Sequence, residues 1–92
     1  MSDKIRQQIK FSGRVQGVGF RFTARHVASM LSLTGWAYND IDGSVIIEVQ
    51  GEENLIDKMI DIVSQGRFIE IDNIERKNIP LVEHETTFDI KD

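Results

Sequence analysis

The chain contains no cysteine, only one proline and no long apolar run. The missing thiols exclude disulfides, thiolate zinc sites and cysteine nucleophiles, and they fit a reducing compartment. No apolar stretch approaches membrane-spanning length, and the N-terminal segment lacks the apolar core of a signal peptide. We therefore expect a cytoplasmic protein that does not engage a membrane.

The chain also has fewer basic than acidic residues. The chain has 11 Lys and Arg residues against 15 Asp and Glu residues, which gives a formal net charge of −4. A protein that binds duplex nucleic acid is usually basic, so we expect no nucleic-acid partner. A small anionic ligand is still compatible, because a local field can oppose the net charge. The 92 residues suffice for a single domain, 1–92, with one modest core.

Apolar periodicity in the first half of the chain predicts a strand followed by a helix. One parity of the strand is apolar, at Ile5, Ile9, Phe11 and Val15. Gly13 lies within this strand and predicts a bulge or a bend. Helical spacing then relates Phe20, Ala24, Val27 and Leu31. We expect this helix to end at Thr34-Gly35, with the glycine as its C-terminal stop.

The second half of the chain repeats this order. Residues 36–39 and 45–49 predict a hairpin around Asp42-Gly43, a strong turn signal. A helix should start at Glu52-Glu53 and stop at Gly66. Residues 68–79 and 86–90 predict two further extended segments. The resulting β-α-β, β-α-β order with a short C-terminal strand predicts an α+β, ferredoxin-like sandwich, in which both helices cover one face of an antiparallel sheet.

The most informative segment is 13–21, which reads GRVQGVGFR between the first strand and the first helix. Glycines allow a close approach of backbone N–H groups to a ligand, and a helix N-terminus adds a partial positive field. The dinucleotide fingerprint fails, because its third glycine falls on Phe22. The Walker A pattern fails at Val18 and Gly19. A plain strand-to-helix turn therefore stays open as an alternative to a phosphate cradle.

Arg21 favours the phosphate cradle. It lies in the first turn of the predicted helix, where a cation opposes the helix dipole, and its side chain should lean back toward the loop. A guanidinium is a permanently charged fork suited to phosphate oxygens. A residue that breaks a local rule without visible compensation is a candidate for function. A solvated arginine or a surface ion pair is the simpler alternative.

The segment GRVQGVGFR and the asparagine in GWAYNDIDGSV, Asn39, together resemble the acylphosphatase family. The resemblance is densest over residues 11–51. It implies hydrolysis of a carboxyl-phosphate anhydride to carboxylate and phosphate, without metal or cofactor. It also implies that Arg21 binds the phosphoryl group and that Asn39 positions the attacking water. Backbone amides of the loop would help to hold the phosphate; these loop residues are Gln16, Gly17, Val18, Gly19 and Phe20.

Two features depart from the family pattern. Tyr38 stands where a basic residue is often found, and Gly66-Arg67-Phe68 replaces a common Gly-Pro-Pro stretch. We expect a free-standing, monomeric enzyme.

Two other functions stay open as alternatives. An anion-binding module could use the same loop to sense or present a phosphorylated or carbamoylated metabolite, and such domains occur within larger maturation enzymes. An RNA-binding ferredoxin-like domain would need aromatic residues on its central strand, and residues 45–49 have none. An EF-hand calcium loop around Asp40 and Asp42 fails, because Tyr38 and Val49 would occupy ligand positions.

Overall fold

A computed structural model describes residues 3–92 of the chain. It contains five strands and two helices: β1 (Lys4–Arg14), α1 (Phe20–Met30), β2 (Thr34–Asn39), β3 (Val45–Glu52), α2 (Glu53–Val63), β4 (Glu70–Ile79) and β5 (Phe88–Lys91). The strands form one sheet in the order β4-β1-β3-β2-β5. No helix in the described part of the chain is long and apolar enough to cross a membrane.

One face of the sheet packs against both helices. Alternation along β1 and β3 directs Ile9, Phe11, Ile47 and Val49 toward that face, where all of them are buried. Each helix contributes one apolar stripe to the same core. The buried helix residues are Phe20, Ala24, Val27 and Ala28 from α1 and Ile56, Met59, Ile60 and Val63 from α2. The predicted ferredoxin-like sandwich is confirmed. Of the predicted α1 stripe, Phe20, Ala24 and Val27 are buried, whereas Leu31 follows the end of the helix and is half-buried.

The predicted antiparallel sheet holds for β1 to β4, whereas β5 runs parallel to β2 and makes the sheet mixed. β4 ends at Ile79, which pairs with Arg6 near the start of β1. β2 begins at the same end of the sheet, because Thr34 and Arg6 both pair with Gln50 of β3. The connection 80–87 runs along this end of the sheet, from one edge to the other. β5 therefore enters the sheet in the same direction as β2.

A buried arginine holds this crossing segment to the sheet. Arg6 is only 2% exposed. Its Nη1 donates to Glu85 Oε1 at 2.7 Å, and its Nε donates to Glu48 Oε1 at 3.1 Å. Gln50 adds two hydrogen bonds to the backbone of Val82. Both carboxylates balance the buried guanidinium, which would otherwise carry a large desolvation penalty.

The bulge predicted at Gly13 is confirmed by a register shift between Ser12 and Gly13 in the β1–β4 pair. A Cβ at Gly13 would overlap the carbonyl oxygen of Glu70. Glycine is therefore required here by the close approach of two backbones. The bulge turns the end of β1 just before the glycine-rich loop begins.

The predicted end of α1 at Thr34-Gly35 is wrong. The helix ends at Met30, and Ser32 takes the left-handed conformation with φ 58°. The N–H of Leu33 donates to Ala28 O at 2.8 Å, which closes a Schellman motif. A serine thus occupies the position where the sequence pattern favours glycine, and Thr34 and Gly35 begin β2.

Gly66 is not the left-handed stop that was predicted for α2. The helix ends at Val63, and Gly66 has no positive φ. A Cβ at Gly66 would overlap the side chain of Ile69. Packing space, rather than backbone conformation, therefore requires the glycine. The same turn is closed by a 3.1 Å hydrogen bond from the N–H of Ile69 to Gly66 O.

Gly35→Ala should destabilise the fold strongly. Its φ of 143° is strained for other residues, and a Cβ there would overlap the carbonyl oxygen of Glu48 on β3. We expect a loss of about 3 kcal/mol or more in the free energy of unfolding, measured by urea denaturation. Gly43→Ala is the matched control, since Gly43 has φ 94° but open space around its Cβ position. Equal losses in both variants would contradict the close approach at Gly35.

Candidate functional site

The loop between β1 and α1 turns through two left-handed glycines. Gly17 has φ 72° and Gly19 has φ 80°, and a Cβ at either position would meet open space. The left-handed backbone conformation therefore favours glycine at both positions, whereas no neighbouring atom would clash with a side chain there. Among the hydrogen bonds of the described chain, none is donated by the backbone N–H groups of Gly17, Val18, Gly19 or Phe20. These donors are free for a ligand.

The N-terminus of α1 is also left without compensation. Gly19 is the N-cap residue, no side chain caps the helix, and its first turn holds no acidic residue. The orphan N–H groups and the positive end of the helix dipole therefore face the loop with no protein anion to neutralise them. A helix N-terminus of this kind is suited to bind an anion.

Arg21 lies in the first turn of α1, and the C-terminal strand orients its side chain. Its Nη1 donates to the carbonyl oxygen of Lys91 at 3.1 Å. The carboxylate of Asp92 is 3.9 Å away and fully exposed, so water screens this pair. A neutral carbonyl fixes the guanidinium without cancelling its charge. Four of its five N–H donors stay available for a ligand.

Asn39 is the last residue of β2, on the side of the sheet that faces the helices. Its Oδ1 is buried and accepts no hydrogen bond. A buried acceptor without a partner is rare and requires an explanation. Asn39 lines a cavity of about 120 Å³ together with Gly17, Gly19 and Arg21. The unpaired oxygen and the cationic fork therefore border the same small space.

Gln16 ties the loop to the turn between β2 and β3. Its Nε2 donates to Asp40 O at 2.7 Å and to Ser44 O at 2.8 Å. The sequence predicted Gln16 as one of the loop residues that hold phosphate through backbone amides. In the structure, the side chain of Gln16 also holds the loop beside the end of β2 through these two hydrogen bonds.

The turn that receives Gln16 is itself cross-linked. Asp42 Oδ2 pairs with Lys10 Nζ at 2.8 Å, and Asp42 Oδ1 accepts from the hydroxyl and the N–H of Ser44. The Lys10 ammonium and these Ser44 donors hold the pKa of the Asp42 carboxyl well below its usual range. The carboxylate therefore stays charged in mildly acidic solution, and the cross-links of the turn persist there.

The predicted site residues separate into two groups in the structure. Gly17, Gly19, Phe20, Arg21 and Asn39 all line the cavity. Gln16 and Val18 belong to the same loop but do not line it. Val15 and Phe22 complete the lining, and neither was predicted from the sequence as a site residue.

Tyr38 and the turn 66–68, the two departures from the family pattern, do not line the cavity. Tyr38 packs on Trp36 across the opposite face of the sheet, with ring centroids 5.5 Å apart. Lys91 Nζ lies 4.7 Å from the Trp36 ring on that face. The turn 66–68 precedes β4 and is absent from the cavity lining. Tyr38 therefore replaces a charge on a surface that the candidate site does not use.

A larger depression of about 430 Å³ lies beside β1 and β4, lined by Gln8, Lys10, Glu75, Arg76 and Lys77. Its lining consists of long polar side chains on regular strands. All of its lining residues lie within β1 and β4, and no helix terminus borders it. The smaller cavity at the start of α1 is therefore the stronger candidate for an anion site.

The chain is similar to known proteins in both sequence and structure. The family model "Acylphosphatase" matches residues 7–90. An acylphosphatase of Clostridium perfringens is 46% identical over 91% of this chain and 96% of its own length. The crystal structure of acylphosphatase from Bacillus subtilis has a TM-score of 0.87 at 33% identity, covering 95% of this chain and 98% of that one.

The same fold also occurs inside a much longer protein. The structure of T. kodakarensis HypF matches 98% of this chain with a TM-score of 0.82 at 32% identity, but the match covers only 12% of that protein. The family model and the full-length relatives together establish the family and its enzyme class. The chain belongs to the acylphosphatase family of hydrolases, which act on acid anhydrides.

Proposed function

We propose that this chain hydrolyses small acyl phosphates to a carboxylate and inorganic phosphate, within a single domain spanning 1–92. Arg21 and the free amides of residues 17–20 bind the non-bridging phosphoryl oxygens. Asn39 orients the attacking water. The mechanism requires neither a metal ion nor a covalent enzyme intermediate.

The observation that carries the proposal is the shared cavity of Arg21 and Asn39. Its volume of about 120 Å³ is several times the ~10–15 Å³ that a cavity needs to hold one water, which leaves room for a phosphoryl group and a nucleophile. The buried, unpaired Oδ1 of Asn39 can accept a hydrogen bond from one water in that space. The free amides and the guanidinium supply donors to the oxygens that carry charge in the transition state.

The chemistry demands positioning and charge stabilisation more than proton transfer by the protein. The oxygen of the oriented water attacks phosphorus while the bond from phosphorus to the acyl oxygen breaks. The electron pair of that bond leaves with the carboxylate, which is a good leaving group and needs no general acid. An amide oxygen cannot remove the water's proton, so the proton passes to an oxygen of the substrate's own phosphate.

Arg21→Lys should lower kcat/KM for acetyl phosphate by about 10²-fold or more, because lysine retains the charge but loses the planar fork. Competitive inhibition by inorganic phosphate should weaken in the same variant. Arg67→Lys, an exposed arginine outside the cavity, is the matched control and should behave like the wild type. Near-wild-type hydrolysis by Arg21→Lys would contradict the assigned role.

Asn39→Ala should lower kcat by about 10²-fold while inhibition by phosphate changes little, since the side chain acts on water and not on the phosphoryl oxygens. Steady-state kinetics with acetyl phosphate and inorganic phosphate measure both quantities. The control is Asn54→Ala, a substitution on the exposed side of α2. A large rise in the inhibition constant with unchanged kcat would assign Asn39 to phosphate binding instead.

Gln16→Ala should affect stability and catalysis together. Loss of its two hydrogen bonds should cost about 1–2 kcal/mol in the free energy of unfolding, measured in urea. The kcat should fall about tenfold, because small misplacements of catalytic groups are costly. Gln8→Ala removes a comparable side chain from the open face as a control. An unchanged kcat in Gln16→Ala would show that the tie does not position the site.

A binding module without turnover is the second candidate, since the same fold occurs as a segment of a longer protein, HypF. Such a module would bind inorganic phosphate at the same cavity but release no product from any acyl phosphate. A turnover assay with acetyl phosphate and carbamoyl phosphate separates the two functions. We expect hydrolysis, as the full-length relatives are named acylphosphatases.

A further inference from the structure

Arg6 is a permanently charged side chain that is buried far from the candidate site. Alternation along β1 places it on the face of the sheet that does not carry the helices, where it is only 2% exposed. It lies near the start of β1, about 26 Å along the strand from Arg14 at its end. The chemistry at the start of α1 therefore leaves this buried charge without a role.

Stability alone is a weak reason to bury the charge of Arg6. A buried ion network is often no more stable than well-packed apolar residues of similar volume. What the network adds is direction, because Nη1 and Nη2 of Arg6 reach the two carboxylate oxygens of Glu85 at 2.7 Å and 3.3 Å. A two-point pair of this kind defines one geometry. Arg6 therefore fixes the place of Glu85, and with it the crossing segment 80–87, on the sheet.

The strand that follows the crossing segment has little of its own to define its register. β5 contains four residues, lies at the edge of the sheet and pairs only with β2. Its apolar side chains, Phe88 and Ile90, lie on the same face. A shift by two residues would bring Ile90 to the place of Phe88, so the apolar pattern alone does not exclude it. The anchor at Glu85, just before the strand, does.

The register of β5 determines which group meets Arg21. The guanidinium of Arg21 donates to the carbonyl oxygen of Lys91 at 3.1 Å. A shift by two residues would carry that carbonyl about 6.6 Å along the strand, which is beyond the reach of a hydrogen bond. Arg21 would then lose the neutral partner that orients it, and the ligand would have to order the side chain on binding.

We propose that Arg6 is a positioning residue for the phosphate site. Its bonds to Glu85 fix the register of β5, and the Lys91 carbonyl of that strand orients Arg21. This inference rests on the proposed function, since it adds a residue to the machinery of the same site. Arg6 contacts neither the substrate nor the attacking water, and it acts from the opposite end of the sheet.

The two carboxylate partners of Arg6 provide a matched pair of variants. Glu85 lies on the crossing segment, whereas Glu48 lies on β3 inside the sheet. Glu85→Gln should raise the dissociation constant of inorganic phosphate about three- to tenfold, the cost of ordering one long side chain on binding. Glu48→Gln removes an equivalent charge from Arg6 and should leave this constant at the wild-type value. Isothermal titration calorimetry measures the constants, and urea denaturation compares the stability of the two variants.

Gln50 supplies a second variant that carries no charge. Its side chain donates to Val82 O at 3.0 Å and accepts from the Val82 N–H at 2.9 Å, so it also ties the crossing segment to the sheet. Val82 is exposed, so water can reach the backbone groups that Gln50→Met releases. This variant should weaken phosphate binding in the same direction as Glu85→Gln. If Glu85→Gln does not fold, the comparison of Gln50→Met with Glu48→Gln decides.

Combination with Arg21→Lys tests the route from the crossing segment to the site. If the register of β5 acts on phosphate through the Arg21 guanidinium, Glu85→Gln should add little to the dissociation constant of Arg21→Lys. A fully additive effect would mean that Glu85 acts on the site by another route, and it would overturn the proposal.

Two further outcomes overturn the role of Arg6. One is an unchanged phosphate dissociation constant in Glu85→Gln, and the other is an equal rise in Glu85→Gln and Glu48→Gln, which would indicate a loss of stability alone. In both cases wild-type hydrolysis of acetyl phosphate still supports the proposed function. A wild type that binds phosphate but hydrolyses no acyl phosphate overturns the proposed function, whereas the binding comparison still decides the role of Arg6.

Discussion

The side chain of Gln16 forms the contact on which the geometry of the site depends. β1 and β2 are not neighbours in the sheet, because β3 lies between them. The loop that follows β1 and the residue that ends β2 therefore need a bridge across the end of β3. Gln16 provides it by donating to Asp40 and Ser44, the residues that flank the β2–β3 turn. Arg21 and Asn39 then border one cavity although eighteen positions separate them in sequence.

The electrostatics of the site are local and oppose the net charge of −4. The first turn of α1 carries no acid, no side chain caps the helix, and a neutral carbonyl orients Arg21. Each of these features leaves the positive potential at the start of α1 without a neutralising protein group. A carboxylate in hydrogen-bonding contact with Arg21 would have fixed the side chain equally well but would have competed with an anionic ligand. The choice of partner for the guanidinium is therefore consistent with an anion site.

Much of the fold follows from local sequence patterns. The parity of β1, the apolar stripes of both helices and the bulge at Gly13 all come from residues close together in the chain. The predicted ends of the helices at Gly35 and Gly66 were wrong for a common reason. The prediction treated each glycine as a conformational stop. Gly35 instead leaves room for the backbone of Glu48 on β3, and Gly66 leaves room for the side chain of Ile69. A left-handed serine at position 32 ends α1 instead.

The candidate site was predictable only in part. The resemblance identified Arg21, Asn39 and the loop, and local chemistry explains why glycines and an arginine belong there. The tie from Gln16 and the carbonyl of Lys91 lie 24 or more residues away in sequence from their partners. Such contacts leave no local signal in one sequence. Phe22 was not predicted as a site residue, because its position beside the cavity depends on how α1 packs against the loop.

Binding of phosphate at the start of α1 is the central claim, and an NMR titration of the ¹⁵N-labelled chain with inorganic phosphate tests it most directly. The account predicts saturable shifts at the amides of Gly17, Val18, Gly19 and Phe20 and at the Nε of Arg21. Shifts confined to the depression lined by Lys10 and Lys77, or no saturable shift at the loop amides, would contradict it.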